Sequence, residues 1–313
     1  MSFAGIMLLG ALIDIGVGWP RRLFARIGHP VTWIGRLVAT LDARLNDDAA
    51  PDARRRVMGA ITVAVVLAAV VLPAIIAQLA LPGGIPGLLL GGLLAWPFIA
   101  IRSMHDHVVA VARPLGSGDT EGARAAVAMI VGRDPARLGE AGIARAAIES
   151  LAENTSDGIV APIFWGAVAG LPGIAVYKAI NTMDSMIGHR TPRHEAFGWA
   201  AARLDDLVNL VPARLTALLF ALASGRPRRA AWVMWRDAGL HRSPNAGWPE
   251  AAMAGGLGIR LSGPRIYVAR VAQEPWVNEG APDPGAGDIV RGLALYRRAM
   301  LCLAACLAGL ALA

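Results

Sequence analysis

Residues 57–81, VMGAITVAVVLAAVVLPAIIAQLAL, carry no charged side chain over 25 positions. As a helix this run measures roughly 37 Å at about 1.5 Å per residue, against a hydrocarbon core of about 30 Å. It is long enough to cross a bilayer, and it decides the fold class. A Pro-Gly-Gly-Ile-Pro break at 82–86 leads straight into a second uncharged run ending at Ile101. Two apolar segments joined this closely predict a helical hairpin with both ends on one side of the membrane.

Further apolar segments lie outward from this pair, near 2–18, 159–177, 207–223 and 293–313, beside the 57–81 and 84–101 runs. The first contains Asp14 and either spans or lies at the interface. The 159–177 stretch carries Pro162, Gly166, Gly170, Pro172 and Gly173, which predicts a kinked or broken helix. Asn209 and Arg214 interrupt the 207–223 segment, and the last run reaches spanning length only if Arg297 and Arg298 snorkel. The expected architecture is an all-α polytopic membrane protein, a single integral-membrane domain over 1–313. It has five to six apolar helices, some broken or re-entrant. Partly helical polar loops at 19–56, 102–157, 178–206 and 224–292 connect them.

Composition agrees. Of 313 residues 55% are hydrophobic and 17% charged, where about 25% charge is usual for a soluble domain, and the mean hydropathy is +0.50. The 30 basic residues outnumber 23 acidic ones, and Lys178 is the only lysine. No segment interleaves basic and aromatic residues as a nucleic-acid stripe would, so nucleic acid is not an expected partner. Basic residues gather in the loops: eight in 19–56, six in 102–157, four in 178–206 and eleven in 224–298. That bias predicts that the basic loops are cytoplasmic, and the expected location is the inner membrane. The 224–298 loop stays inside whether 159–177 and 207–223 both cross or both dip in and return. Only the second arrangement keeps 178–206 on the cytoplasmic side. The two cysteines, Cys302 and Cys306, sit in the last apolar run and offer neither a disulfide framework nor a zinc cluster. The N-terminus lacks a basic n-region and an A-x-A site and reads as part of the mature chain.

The polar loops carry the chemistry. Asp119-Thr120-Glu121 predicts a helix start, and Asp134-Pro135 predicts another cap. Downstream, Arg145, Glu149 and Glu153 follow at i,i+4 on one face. Asn154 and Asp157 come at the expected helix end, where Asp157-Gly158 permits a turn. The plain reading is an exposed helix with an ion pair and a capped end, but an acidic face running into a broken membrane segment points to a site. After that segment, Lys178, Asn181 and Asp184 recur every three residues, so one helical face presents an ammonium, an amide and a carboxylate, a set suited to a phosphate and its metal. Asp205, Asp206 and Asn209 are read at a helix start, where carboxylates also simply favour the dipole. The six histidines show no H-E-x-x-H spacing and read as surface or packing residues. Asn245, Trp248 and Glu250 precede glycines 255, 256 and 258, which form no dinucleotide or P-loop fingerprint, so any nucleotide site is unconventional. Residues 275–288 read as an exposed loop.

Longer blocks carry a resemblance: HPVTWIGRL at 29–37, VGRD at 131–134, AAIESLAENTSDGIVAPIFW at 146–165, YKAINTMDSMIG at 177–188, ARLDDLVNLVPARL at 202–215 and NAGWPEAAMAGGLGIRL at 245–261. Together they resemble the CobD/CbiB family, the adenosylcobinamide-phosphate synthases of cobalamin biosynthesis. Pro135 stands where threonine is expected, and HRTPRHEAFG at 189–198 carries extra histidine. The resemblance implies ATP-dependent amide formation between the free propionate of adenosylcobyric acid and (R)-1-aminopropan-2-ol or its O-phosphate, with Mg²⁺ as cofactor, the corrinoid as substrate and other late corrinoid-pathway enzymes as partners. Such chemistry needs cationic groups on the phosphoryl in transit and a base for the attacking amine. The residues expected to serve are Glu153, Asp157 and Asp184 in metal and base roles, and Asn154 and Asn181 for orientation. Lys178 and Arg190 are expected on phosphates, and Asn245 with Glu250 as a second wall. Asp184, Asp157 and Asp205 are the expected Mg²⁺ ligands. A transporter would show similar broken helices, though no internal repeat is present, and a scaffold for corrinoid enzymes would not need the polar clusters for turnover.

Overall fold

The computed structural model describes every residue except 1, 132–135, 137, 268, 269 and 273, together with the side chains outside 21, 265–267 and 270–272. The cap expected at Asp134-Pro135 therefore lies outside the described residues. In chain order the helices are α1 (Phe3–Val17), α2 (Arg21–Ile27), α3 (Pro30–Leu45), α4 (Asp52–Leu79), α5 (Gly84–Ala95), α6 (Ile101–Gly116) and α7 (Thr120–Val127). Then come α8 (Glu140–Thr155), a π-helical turn (Ser156–Val160), α9 (Ala161–Ile187), α10 (Trp199–Val208), α11 (Leu210–Ala223), α12 (Pro227–Asp237), α13 (Gly247–Leu257) and α14 (Ala286–Leu312). Four short strands, β1 (Leu261–Ser262), β2 (Arg265–Tyr267), β3 (Arg270–Ala272) and β4 (Trp276–Val277), pair antiparallel as β1 with β4 and β2 with β3.

Among the described residues four stretches are long and apolar enough to cross a membrane: Asp52–Leu79, Gly84–Gly116, Glu140–Ile187 and Ala286–Leu312. Two bent pairs, Phe3–Val17 with Arg22–Leu45 and Trp199–Val208 with Leu210–Ala223, raise the number to six. The chain is thus a helical polytopic membrane protein with several bent segments.

The fold divides into two compact units. The first comprises 1–100, 161–209 and 307–313. Here α4 packs against α9 and α3, while α5 packs against α1. The two arms of the expected hairpin therefore find other principal partners. The reason lies in α5: its twelve residues are only about 18 Å long, and Gly91 and Gly92 let Ile6 and Leu9 of α1 settle where added Cβ atoms would stand 2.8 and 2.7 Å away. The interruption predicted in 159–177 is present. Ala169 and Gly170 leave helical geometry, Gly170 with φ +65°, and the freed amide of Leu171 donates to Oε1 of Gln78 on α4 at 2.8 Å. A side chain thus satisfies backbone that a membrane interior would leave orphaned. The 189–198 loop is fastened by buried Arg55, which donates to Asn46 Oδ1 at 3.1 Å and to the carbonyls of Pro192 and Arg193.

The second unit comprises 101–160 and 210–306. Its centre is α13, buried along almost its whole length, with α11 and α12 packed on it. Asp119 caps α7 as the sequence predicts, accepting from Gly122 N at 2.8 Å. The turn expected at Asp157-Gly158 does not form, because both residues belong to the π-helical turn. The 275–288 stretch is likewise more than an exposed loop: Asn278 is buried, with φ +57°, and donates to Ile259 O at 2.8 Å.

Candidate functional site

In the first unit the last turns of α9 and the end of α10 supply the polar set. Lys178 Nζ donates to Asn181 Oδ1 at 3.4 Å. Buried Tyr177 donates its hydroxyl to Asn209 Oδ1 at 2.9 Å, and Asn209 Nδ2 in turn donates to Asp205 Oδ2 at 3.0 Å. The other oxygen of that carboxylate, Oδ1, is buried without a close hydrogen bond, and the Asn181 amide also acts on this carboxylate. Asp184 lies over Gly188, where an added Cβ would meet its Oδ1 at 2.0 Å. The charges of Asp184, Asp205 and Asp206 act on one another, with His189 beside Asp184 and Arg190 and Arg203 beside Asp206. Lys178, Asn181, Asp184, Asp205 and Arg190 therefore belong to one neighbourhood.

One expectation changes here. Asp205 and Asp206 are not at a helix start; α10 begins at Trp199, so they occupy its last turn. The dipole there disfavours negative charge. The sequence misleads because LDDLVN looks like a cap, whereas the helix is set by the apolar residues before it. Helix-start stabilisation no longer explains these carboxylates.

The remaining residues belong to the second unit. Glu153 and Asn154 are exposed and Asp157 is half-buried; Asn154 Nδ2 turns back to Ser150 O at 2.9 Å. Glu250 is buried, accepts from Ser262 Oγ at 3.4 Å and stands 3.8 Å from His241 Nε2. Buried Asn245 accepts from Arg214 Nη1 at 2.9 Å, and the guanidinium of Arg214 lies over the Trp248 ring. Sequence reasoning placed Glu149 on the acidic face of a helix without giving it a role. It is buried and accepts from Ser262 N at 2.8 Å, so two buried carboxylates meet one serine in the left-handed conformation, φ +57°. The spacing of Glu149 was readable, but its partner 113 residues away was not. Arg145 reaches past its own helix to Ser262 O at 3.2 Å and Asp283 Oδ1 at 3.0 Å.

Among the described residues no three His, Cys, Asp or Glu side chains gather closely enough to hold a metal ion. Mg²⁺ does not require such a cage, since it is commonly held by one or two carboxylates together with substrate phosphates and water. The Asp205 carboxylate, with Asp184 acting on it and Lys178 on the same face of α9 as Asp184, fits that mode.

Fold and site together define a polytopic helical membrane protein whose bent segments carry half-buried carboxylates, amides and a lone ammonium. A family model described as CobD/Cbib protein matches residues 7–296. The chain is 65% identical over 300 residues to "Cobalamin biosynthesis protein CobD" of Rhodobacter capsulatus, covering 96% of this chain and 95% of that protein. It is 48% identical to the protein of the same name from Sinorhizobium sp, covering 93% of each, and 46% identical to that of Brucella suis, covering 97% of each. No solved structure matches it. The chain belongs to the CobD/CbiB family.

Proposed function

We propose that this protein acts in cobalamin biosynthesis, as an ATP-dependent amide synthase joining (R)-1-aminopropan-2-ol or its O-phosphate to the free propionate of adenosylcobyric acid. The site faces the cytoplasm from the inner membrane. Family membership supports the pathway. The observation that carries the chemistry is the Lys178, Asn181, Asp184 and Asp205 neighbourhood, an ammonium, an amide and two carboxylates on adjoining turns.

In the proposed reaction a propionate oxygen attacks the γ-phosphorus of ATP and ADP leaves. The amine nitrogen then attacks the acyl carbon, phosphate departs with the former carboxylate oxygen, and a base takes the amine's proton. Asp184 and Asp205 would hold Mg²⁺, which supplies neutralisation of phosphoryl charge when bound. Lys178 is suited to a phosphoryl oxygen as a compact point charge, and Arg190 to a further phosphate. Tyr177 and Asn209 fix the Asp205 carboxylate through its other oxygen, which keeps Oδ1 directed without cost at the moment of binding. Asn181 holds the ammonium in place. Glu153, Asn154, Asp157, Asn245 and Glu250, all in the second unit, are proposed by themselves as candidates for base and substrate-contact roles.

Purified protein given ATP, Mg²⁺, the corrinoid acid and either amine tests this reading. Mass analysis is expected to show the amide, with one ADP and one phosphate released per bond. Corrinoid and ATP left unchanged, under conditions where the protein still supports the pathway in cells, would favour the scaffold reading.

A further inference from the structure

Helix α12 has two dissimilar faces. Ala230, Val233 and Met234 are buried, and Gly255 of α13 brings the two helices so close that an added Cβ would stand 2.8 Å from Val233 and 2.9 Å from Ala230. The opposite face and its continuation present Arg228, Trp232, Trp235, Leu240 and Arg242, all exposed, whereas the guanidinium of Arg229 leans on Gly258 at the end of α13. Trp232 is 58% and Trp235 76% exposed, unusual values for the largest aromatic side chain. Arg236 stacks over the Trp232 ring at 4.1 Å while pairing with Asp237. Asp237 is the only carboxylate between 225 and 244, and it is buried.

No segment is expected from sequence to interleave basic and aromatic residues, but 228–242 does so. An outward stripe of tryptophan and arginine without a carboxylate is the composition of an interfacial helix. Indole rings settle at the headgroup level, and arginines carry their charge to the phosphates. Position agrees: residues 224–226 alone separate α12 from the end of α11, part of a bent spanning pair. Three residues reach at most about 10 Å, so α12 starts beside the point where the chain leaves that segment. A second copy is a poorer occupant, because a twofold contact would set this arginine stripe against itself. We propose that α12 lies in the headgroup layer, with Trp232 and Trp235 at the hydrocarbon boundary and its arginines on anionic phospholipids.

The test uses a full-length Cys302→Ser/Cys306→Ser background with Trp235→Cys carrying an environment-sensitive fluorophore. The protein is placed in nanodiscs of phosphatidylcholine alone or mixed with phosphatidylglycerol. The label is expected to emit at shorter wavelength in discs than in detergent, to be quenched by shallow nitroxide lipids, and to be quenched more in the anionic discs. Each of Arg228→Gln and Arg242→Gln is expected to reduce that anionic preference by roughly fivefold. Water-like emission in both discs would overturn the proposal. So would equal quenching with and without phosphatidylglycerol, or a label already shielded in detergent in a species of dimeric mass. Free inorganic phosphate added in detergent is expected to leave the emission unchanged.

Discussion

Lys178 is the one lysine among 30 basic residues, and its ammonium contacts Asn181 on the face that also carries Asp184. If it meets a phosphoryl oxygen as a point charge, Lys178→Arg should lose nearly as much turnover as Lys178→Ala, because a planar guanidinium does not present its charge the same way. Steady-state kinetics of both variants decide this, and near-parental activity of the arginine form would leave Lys178 as an interfacial anchor. Glu153→Gln and Asp157→Asn remove charge at constant volume. Each is predicted to cut amide formation severely while the protein still inserts and purifies normally; parental rates in both would make them structural. At this scale the sequence was most informative where partners are close along the chain. The three-residue spacing of Lys178, Asn181 and Asp184 is visible in the letters, whereas the meeting of Glu149, Glu250 and Ser262 depends on tertiary packing that no local pattern encodes.

Helix α9 shows what was and was not legible among elements. Proline and glycine within 159–177 announce an interruption, and the break falls at Ala169 and Gly170. Nothing local announces that Gln78 will receive the freed amide. Gly170→Ala should destabilise the fold, since alanine disfavours φ +65° and its Cβ would stand 1.8 Å from Gln78 Oε1. Gln78→Leu leaves Leu171 N–H unsatisfied, a loss of about 1–3 kcal/mol. Thermal unfolding in detergent is expected to show both variants melting below the parent, and an unchanged midpoint for Gln78→Leu would mean water replaces the glutamine. The partner of α5 was equally hidden, because adjacency in sequence favours α4 while the glycine face of α5 fits α1. A second element is pinned by charge. Arg145 and Arg260 both bond Asp283 and both lie over the Trp276 ring. The hydrogen bond from Arg260 is the main reason the Asp283 carboxyl is held below its usual range; burial opposes this and Arg145 adds to it. A carboxylate with a depressed folded pKa stabilises fully above its unfolded pKa, and that contribution disappears as pH falls through the folded value. Asp283→Asn should therefore melt earlier than the parent near neutrality and converge with it in acid. A constant gap down to pH 2 would refute the assignment.

For the molecule as a whole, the sequence predicts five to six apolar helices and the described residues hold four to six candidate spans, but the side on which each polar loop emerges does not follow from composition. Residues 178–206 hold the set proposed to bind phosphate, and ATP is available in the cytoplasm. Thr191, exposed in the loop that Arg55 fastens, should as Thr191→Cys resist an impermeant thiol reagent applied from the periplasm and react after lysis. Ready labelling in intact cells would place the loop outside and refute a cytoplasmic site there.

The solitary lysine has one more consequence, for how the chain comes apart. A lysine-specific protease has a single peptide bond to cut, after residue 178, and that bond lies inside α9, hydrogen-bonded on both sides and half-buried. The native protein should stay whole under brief digestion, while any chain whose α9 has unwound should fall into two defined fragments. The pair of bands on a gel becomes a count of opened molecules, and ATP with Mg²⁺, if they bind beside Lys178, should slow its appearance.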